Sequence, residues 1–202
     1  MGQGINENPK AQVILETDGE VILYKDFFNL DERDRLFQAL YSEIIWQQET
    51  IQLFGKKYQV PRLIAWYGDR DKVYTYSGIA HTPQAWNSTL FLIKNRLETL
   101  LRAKFNSVLL NLYRDGQDSM AWHSDDEPEL GKNPTIASVS FGATRRFSLK
   151  HKHIKERKVE LELSSGSLLL MQGETQHYWK HQIPKTKKPV GARINLTFRT
   201  IQ

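Results

Sequence analysis

Residues 136–171 read IASVSFGATRRFSLKHKHIKERKVELELSSGSLLLM, and this stretch decides the fold. Short β-rich runs alternate in it with turn-forming residues, and no helical period interrupts them. The pattern extends outward, from about residue 106 to the end of the chain. The predicted strands are 108–113, 136–141, 147–149, 159–163, 167–171 and 194–198. Many short strands with such turns predict a sandwich or a double-sheet jelly roll, also called a double-stranded β-helix.

Helical periodicity is confined to the upstream part of the chain. A first helix is predicted to begin after Asn29 or Asp31, where acidic residues suit a first turn. A second is predicted to begin at Thr82-Pro83, an N-cap followed by proline at the first helical position. Both helices are expected to pack on a sheet, which makes the fold class α+β.

The chain is expected to form one compact domain with three parts. Residues 1–20 show no periodicity and are predicted to be a flexible N-terminal segment. Residues 21–105 are predicted to form a mixed lobe that contains the helices. Residues 106–202 are predicted to form the jelly-roll core.

The composition restricts the chemistry of any site. The chain has 202 residues and no cysteine, so a transition metal must bind histidine and carboxylate side chains. No segment approaches the ~20 apolar residues of a membrane span, and the first twenty residues lack a secretory-signal pattern. We expect a soluble intracellular monomer without membrane contact, cytoplasmic if bacterial and nuclear if eukaryotic.

The net charge of +5 is unevenly distributed. Residues 145–158 contain seven Lys and Arg side chains against one Glu, and residues 180–188 contain four lysines and no acid. Such segments favour a polyanion as partner. The alternative is that they are merely solvated faces.

His123, Ser124 and Asp125 form a His-x-Asp motif that can bind a metal. In an extended segment residues two apart point to the same side, so His123 and Asp125 can reach one ion. A further histidine would complete the two-imidazole, one-carboxylate set of a non-haem Fe(II) oxygenase, which leaves other positions open. By itself the motif is weak and also fits a surface turn. The spacing does not decide whether the third ligand is His177 or His181.

Arg193 opens the alternating segment RINLTFR, residues 193–199. A guanidinium group matches a carboxylate with two parallel hydrogen bonds and stays charged. Arg193 is therefore a candidate anchor for a dicarboxylate cosubstrate beside the metal.

Several segments together resemble a known family. They are VLLNLYRDGQDSMAWHSDDEPEL (108–130), ASVSFGATRRFSLKHK (137–152), SLLLMQGETQHYWKHQIPK (167–185) and RINLTFR. In this order they resemble the AlkB family of Fe(II)- and 2-oxoglutarate-dependent nucleic-acid dealkylases. Upstream, FGKKYQVPR (54–62) and YGDRDKVYTYSG (67–78) resemble the substrate-binding part of the branch that acts on double-stranded DNA, so the likeness covers about residues 54–199.

The resemblance implies which residues bind iron. His123, Asp125 and His181 match the ligands, His181 because the family's ligand follows an aromatic-x pair, here Trp179-Lys180. His177 is then a non-ligand.

The resemblance also implies a 2-oxoglutarate site. Asn111 and Tyr113 match residues that hydrogen-bond the cosubstrate, and Arg193 matches the clamp on its distal carboxylate. Thr197 and Arg199 match its other contacts, and Asn195 completes their alternating face. An ion pair between Arg199 and an acid such as Asp125 is an alternative that can coexist with this role.

Substrate residues are expected in the 21–105 region, which the resemblance makes a nucleotide-recognition lobe. An enzyme that acts on a base within a duplex must take the base out of the stack. Tyr76, in the run Tyr74-Thr75-Tyr76, resembles the ring that stacks on the flipped base, although a Tyr-x-Tyr pair also fits plain sheet packing. Phe54 resembles the wedge that fills the hole in the duplex, and its alternative is a ring tucked under its own loop.

The other substrate-binding candidates surround these aromatic residues. Gly55 and Lys56 follow the wedge, and Lys56 and Arg62 are candidate phosphate contacts, with the basic stretches Lys150–Lys158 and Lys185–Lys188. Asp126 and Glu127 follow the metal motif and can accept hydrogen bonds from an exocyclic amine.

The activity implied is oxidative demethylation of bases such as 1-methyladenine and 3-methylcytosine, with Fe(II), 2-oxoglutarate and O2. Succinate, CO2 and formaldehyde are the expected products, and the role is direct-reversal repair of alkylated DNA. Phe54 favours DNA over RNA. The alternatives are an RNA demethylase of the same family, a protein or small-molecule hydroxylase on the same scaffold, and a nucleic-acid binder with a structural metal.

Overall fold

The computed structural model describes residues 9–53, 55–70, 74–76, 79–81 and 83–202. Two antiparallel sheets dominate this part of the chain. The major sheet contains, in spatial order, β1 (Ala11–Leu15), β2 (Glu20–Tyr24), β13 (Ser167–Gln172), β10 (Ile136–Gly142), β15 (Arg193–Arg199), β8 (Ser107–Tyr113) and β5 (Leu63–Gly68). The minor sheet contains β12 (Lys158–Leu163), β11 (Arg145–His151), β14 (Trp179–Ile183) and β9 (Met120–His123). The predicted double-sheet jelly roll is therefore confirmed.

The remaining elements are two hairpins and four helical segments. One hairpin pairs β3 (Thr50–Leu53) with β4 (Lys56–Gln59), and the other pairs β6 (Tyr74–Tyr76) with β7 (Ile79–His81). The helices are α1 (Leu30–Glu43), α2 (Ser88–Leu101), the short α3 (Thr175–Tyr178) and a 3₁₀ turn at Pro128–Leu130. Among the described residues, no helix is long and apolar enough to cross a membrane.

The major sheet has an apolar layer on each face. On one face it packs against α1 and α2, through buried residues such as Leu40, Ile93 and Phe198. On the other face it packs against the minor sheet, through residues such as Leu149 and Trp179. Because side chains alternate along a strand, β10 and β15 send apolar residues to the helices and polar residues toward the minor sheet. That polar face consists of Ser138, Ser140, Arg193, Asn195 and Thr197.

Helix α1 begins where the sequence predicts. The Asn29 side chain accepts a hydrogen bond from the Glu32 backbone N–H, and the Glu32 side chain accepts one from the Asn29 N–H. This capping box satisfies two amides that the helix leaves without intrahelical partners. Glu32 also pairs with Arg96 of α2 at 2.8 Å, which links the two helices.

The predicted start of the second helix is wrong. Helix α2 begins at Ser88, and its N-cap is Asn87, whose side chain accepts a hydrogen bond from the Leu90 N–H at 2.8 Å. Pro83 is instead buried before an isolated bridge that joins Gln84 to Tyr67. A Thr-Pro pair is only a local indication of a helix start. Asn87 is the more favourable N-cap residue, and the helix begins directly after it.

The N-terminal part of the chain contributes more to the sheet than predicted. Strand β1 lies within the segment expected to be flexible, and it pairs with β2, which pairs in turn with β13. Strand β5, also upstream of residue 106, pairs with β8. The major sheet therefore also includes strands from the region predicted to form the mixed lobe.

Candidate metal and cosubstrate site

Three side chains meet at the open end between the two sheets. His123 ends β9 and is the cross-strand partner of His181 in β14, and Asp125 follows two residues after His123. Their candidate ligand atoms all lie within 4.8 Å of one another. Two imidazoles and one carboxylate are a donor set that suits non-haem Fe(II) and leaves other coordination positions open. The described residues thus place the three predicted ligands together.

His123 has a hydrogen bond that is compatible with metal binding, whereas His181 Nδ1 is buried without a hydrogen-bond partner among the described residues. His123 Nδ1 lies 2.8 Å from the Ala121 carbonyl oxygen, which leaves Nε2 facing Asp125 Oδ1 at 3.9 Å. In a metal-binding histidine, the nitrogen that is not a ligand is commonly fixed by such a backbone contact. The rings of His123 and His181 are 4.2 Å apart between centroids.

His177, the competing third ligand, is directed elsewhere. It lies exposed on α3, where its Nε2 is 2.8 Å from Asn133 Oδ1. The structure therefore supports His181 rather than His177 as the residue beside His123 and Asp125.

Electrostatics keep this site in the protonation state that a metal requires. Burial by itself would raise the pKa of Asp125, but Arg199, His181 and His123 lower it to about 2. Burial, together with the charge of His123, lowers the pKa of His181 to about 3. Asp125 is therefore ionised and His181 neutral at neutral pH, the forms that bind metal ions. Arg199 Nη2 contacts Asp125 Oδ1 at 2.8 Å, so the alternative ion pair is present.

The ligand loop is tied to α3 and β14 by two residues that the sequence did not single out as functional. The Asp125 backbone N–H donates to Gln176 Oε1 at 2.9 Å, and Ser124 Oγ donates to the Trp179 carbonyl oxygen at 2.9 Å. Gln176 is almost completely buried. No motif marks it, because its role depends on the packing of α3 beneath the loop.

Arg193 lies at the centre of the cosubstrate side. Its side chain is fully buried, and Nη2 donates to Ser140 Oγ at 2.9 Å and to Asn195 Oδ1 at 3.1 Å. Nε and Nη1 have no hydrogen-bond partner among the described residues. Burial lowers the pKa of Arg193 to about 10, so the group stays charged at neutral pH. A buried cation with unused donors fits a carboxylate ligand.

The other predicted cosubstrate residues surround Arg193. In the ladder between β8 and β15, Tyr113 lies opposite Arg193 and Asn111 lies opposite Asn195. The Arg193 guanidinium lies 5.2 Å from the centre of the Tyr113 ring. Asn195 Nδ2 donates to Ser138 Oγ at 3.1 Å and is 3.4 Å from Thr197 Oγ1. The fold therefore gathers the whole predicted set on one polar face.

Arg62 is placed differently from the prediction. The sequence predicts a phosphate contact, but the side chain is buried, and its Nε donates to Asn111 Oδ1 at 2.6 Å. Nη1 is 3.4 Å from the Ser119 carbonyl oxygen. A buried guanidinium held by these groups is not available to a surface phosphate. It instead fixes Asn111 so that the amide nitrogen remains to donate to a ligand.

A cavity of about 680 Å³ opens from the metal site toward the β3–β4 hairpin. His123 and Asp125 line its inner end, and Tyr58 and Pro61 line its outer part. Its walls are mainly apolar, which is typical of small-molecule and base-binding pockets. Glu127 also lines it, and Glu127 Oε2 is buried without a partner in the described chain.

Several predicted substrate residues are only partly described. Phe54 lies outside the described residues, and so do the side chains of Lys56, Tyr74, Thr75 and Tyr76, whose backbones form β4 and β6. Gly55 is exposed and has a φ of 77°, a conformation that favours glycine in the tight β3–β4 turn. Asp126 is exposed, and its carboxylate lies 3.2 Å from Lys152 Nζ.

The basic segments lie largely at the surface, with one exception. Lys150, Lys158 and Lys180 are cross-strand neighbours in the minor sheet, and Lys150 Nζ lies 4.3 Å from the centre of the Trp122 ring. Arg145 is instead buried and donates to three backbone carbonyl oxygens, those of Asp115, Asp118 and Pro184. Arg145 therefore holds two loops together and does not belong to the surface charge.

This fold and this site define the class of protein. A double-sheet jelly roll with two imidazoles, one carboxylate and a nearby buried arginine is the arrangement of an Fe(II)- and 2-oxoglutarate-dependent oxygenase. A family model described as the 2OG-Fe(II) oxygenase superfamily matches residues 20–199. The solved structure of OsALKBH1 superposes with a TM-score of 0.68 at 16% identity, covering 95% of this chain and 100% of that chain, and so supports the fold.

Similar proteins show to which family within this superfamily the chain belongs. Alpha-ketoglutarate-dependent dioxygenase alkB homolog 3 of Homo sapiens is 44% identical over 90% of this chain and 66% of its own length. DNA oxidative demethylase ALKBH2 of Homo sapiens is 39% identical over 93% of this chain and 76% of its own length. The chain belongs to the 2OG-Fe(II) oxygenase superfamily and, within it, to the AlkB family. The cofactors of this family are Fe(II), 2-oxoglutarate and O2.

Proposed function

We propose that this protein removes N-linked methyl groups from bases such as 1-methyladenine and 3-methylcytosine in DNA, as direct-reversal repair of alkylation damage. The observation that carries the proposal is the meeting of His123, Asp125 and His181 at the inner end of a cavity, beside the buried Arg193. Succinate, CO2 and formaldehyde are the proposed products. The name of the ALKBH2 relatives, DNA oxidative demethylase, supports this substrate class.

The residues of this chain hold and orient the reactants. Bound Fe(II) and 2-oxoglutarate supply, with O2, the oxidation of the alkyl carbon. His123, the ionised Asp125 and the neutral His181 would hold the metal. Arg193 would pair with the distal carboxylate of 2-oxoglutarate, and Asn111 would donate its amide N–H to the same molecule.

The remaining cosubstrate residues complete this pocket. Tyr113, Asn195 and Thr197 would shape its walls and hydrogen-bond its contents. Arg199 would serve both the cosubstrate and Asp125, to which it is already bound. Fixing both reactants next to one another lowers the barrier because their relative motion is restricted before the reaction.

The cavity would take the base itself. A flipped base enters a pocket with flat apolar walls, and Tyr76 would stack on it with Tyr74 and Thr75 alongside. Asp126 and Glu127 would accept hydrogen bonds from the base. Glu127 supports this role because its buried oxygen lacks a partner in the described chain.

The substrate strand would be held outside the cavity. Phe54 would fill the gap in the duplex, with Gly55 and Lys56 beside it in the hairpin turn. The exposed lysines of the minor sheet and of residues 185–188 would contact phosphates. The wedge role of Phe54 favours duplex DNA over RNA. The protein would act as a monomer within the cell.

Succinate release tests this function directly. The protein is incubated with Fe(II), 2-oxoglutarate and O2, with either a methylated or an unmethylated oligonucleotide of the same sequence. We expect the methylated DNA to increase succinate formation and to yield formaldehyde in equal amount. A protein or small-molecule hydroxylase would give no such increase, and a nucleic-acid binder with a structural metal would form no succinate.

A further inference from the structure

Glu49 is an acidic residue that neither the metal site nor the predicted base contacts account for. It precedes β3, and its carbonyl oxygen accepts a hydrogen bond from the Val60 N–H at 2.9 Å. Its side chain lines the same cavity as His123 and Asp125. Glu49 Oε2 is buried and has no hydrogen-bond partner among the described residues.

The buried cations of this cavity are engaged elsewhere. Arg62 donates to Asn111 and to the Ser119 carbonyl oxygen, and Arg199 is bound to Asp125. The remaining lining cation, Lys185, is exposed at the surface. Within the described part of the chain, Glu49 therefore faces the cavity without a cation of its own.

Glu49 and Glu127 together give the cavity an unmet capacity to accept hydrogen bonds. They come from distant parts of the chain, the β3–β4 region and the loop after the metal motif, and each has a buried oxygen without a partner in the described residues. The neighbouring walls include Ile51, Val60 and Trp122. A carboxylate oxygen enclosed in this way is unfavourable until a ligand supplies a donor or a positive charge.

Alkylated bases differ in whether they supply that charge. Methylation of cytosine at N3 or of adenine at N1 leaves the exocyclic amine in place and makes the ring cationic at neutral pH. Methylation of thymine at N3 replaces the ring proton, so the product stays neutral and presents a carbonyl oxygen instead of an amine. A carboxylate in the cavity attracts the first group and repels the second.

We propose that Glu49 is a specificity-determining residue that selects cationic alkylated bases over neutral ones. The proposal rests on the function proposed above, because it assumes that the base enters this cavity. Glu127 contributes to the same preference from the loop after the metal motif. Glu49 contributes a second carboxylate from the part of the cavity next to the β3–β4 hairpin.

Binding without turnover tests the proposal independently of activity. Oligonucleotides of one sequence carry 3-methylcytosine or 3-methylthymine at the same position, and their Kd values are measured without O2. The wild-type protein is expected to bind the 3-methylcytosine strand more tightly. Glu49→Gln, which keeps the size of the side chain, is expected to reduce that ratio by about tenfold, the effect of losing one charged hydrogen bond.

Two further variants test whether the change in the binding ratio is due to the charge of Glu49. Glu162→Gln removes an exposed carboxylate of β12 outside the cavity and should leave the ratio unchanged. Glu49→Asp retains the charge and should keep a ratio above that of Glu49→Gln. Equal binding of the two strands by the wild type, or an unchanged ratio in Glu49→Gln, would overturn the proposal. Absence of formaldehyde release from the wild type would instead count against the proposed function.

Discussion

Asp125 connects the metal site to the cosubstrate side. Its carboxylate is nearly fully buried, yet it is ionised because Arg199, His181 and His123 outweigh the effect of burial on its pKa. A buried carboxylate is tolerable only with such partners. One residue therefore fixes both the charge of the metal site and the position of an arginine predicted to contact 2-oxoglutarate.

Replacing Asp125 with Ala should abolish turnover. The variant removes one of three metal-binding side chains, whereas the exposed lysines and the hairpin that would contact DNA are unchanged. Formaldehyde release and DNA affinity are measured together, and affinity should be largely retained. Asp34→Ala, an exposed substitution on α1, serves as the control. Full activity in Asp125→Ala would reject the site.

The metal-free protein should lose stability as the pH falls from about 6.5 to 3. The pKa of His181 is lowered from 6.5 to about 3 on folding, so within this range the unfolded chain binds a proton that the folded chain does not. Asp125, with a pKa lowered from 3.8 to about 2, adds to the loss once the pH falls below 3.8. The Tm of the metal-free protein, measured against pH, should fall less steeply in His181→Asn. His177→Asn should keep the wild-type slope, and an identical slope in all three proteins would contradict the assignment.

Replacing Arg193 with Lys should weaken 2-oxoglutarate binding by about tenfold or more, because a single ammonium cannot reproduce two parallel hydrogen bonds to a carboxylate. Calorimetric titration of 2-oxoglutarate into the metal-loaded protein without O2 measures the effect. Arg146→Lys on the surface of β11 is the matched control. Equal affinities for wild type and Arg193→Lys would place the cosubstrate elsewhere.

At the level of elements, the strands and helix ends that depend on local interactions could be predicted from local sequence patterns. Strands β10 and β15 alternate residue by residue, and helix α1 begins with its own capping box, so both could be identified from the sequence. The start of α2 could not be identified from the sequence, because a Thr-Pro pair is found both in loops and at the N-termini of helices. Strand β14 was also missed, since it depends on pairing with β9 and β11, far away along the chain.

The short helix α3 should control metal affinity through Gln176. Gln176→Leu removes the acceptor of the Asp125 backbone N–H and leaves that buried donor without a partner, a loss of about 1–3 kcal/mol. We expect weaker Fe(II) binding in an anaerobic titration, with the fold retained by circular dichroism. His177→Asn, one residue further along and exposed, should bind Fe(II) as the wild type does. Unchanged affinity in Gln176→Leu would show that α3 has no part in placing Asp125.

At the level of the whole molecule, the two apolar layers explain where the site lies. One layer fixes the helices on the major sheet and the other joins the two sheets, so polar residues of β10 and β15 are enclosed between sheets near their open end. Glu127 follows the metal motif closely in sequence, so its position in the cavity could be predicted, whereas Asp126 is exposed and does not line the cavity. Glu49, Gln176 and the inward position of Arg62 could not be predicted, because tertiary packing brings them to the site.

The most direct test of the whole account is mass spectrometry of paired DNA and RNA oligonucleotides that carry one 1-methyladenine or 3-methylcytosine. With Fe(II), 2-oxoglutarate and O2, we expect the DNA strand to lose the mass of one CH2 unit, faster than the RNA strand, and to lose none when 2-oxoglutarate is omitted. Methylated strands of both kinds that keep their full mass, while the protein still consumes 2-oxoglutarate, would contradict the account.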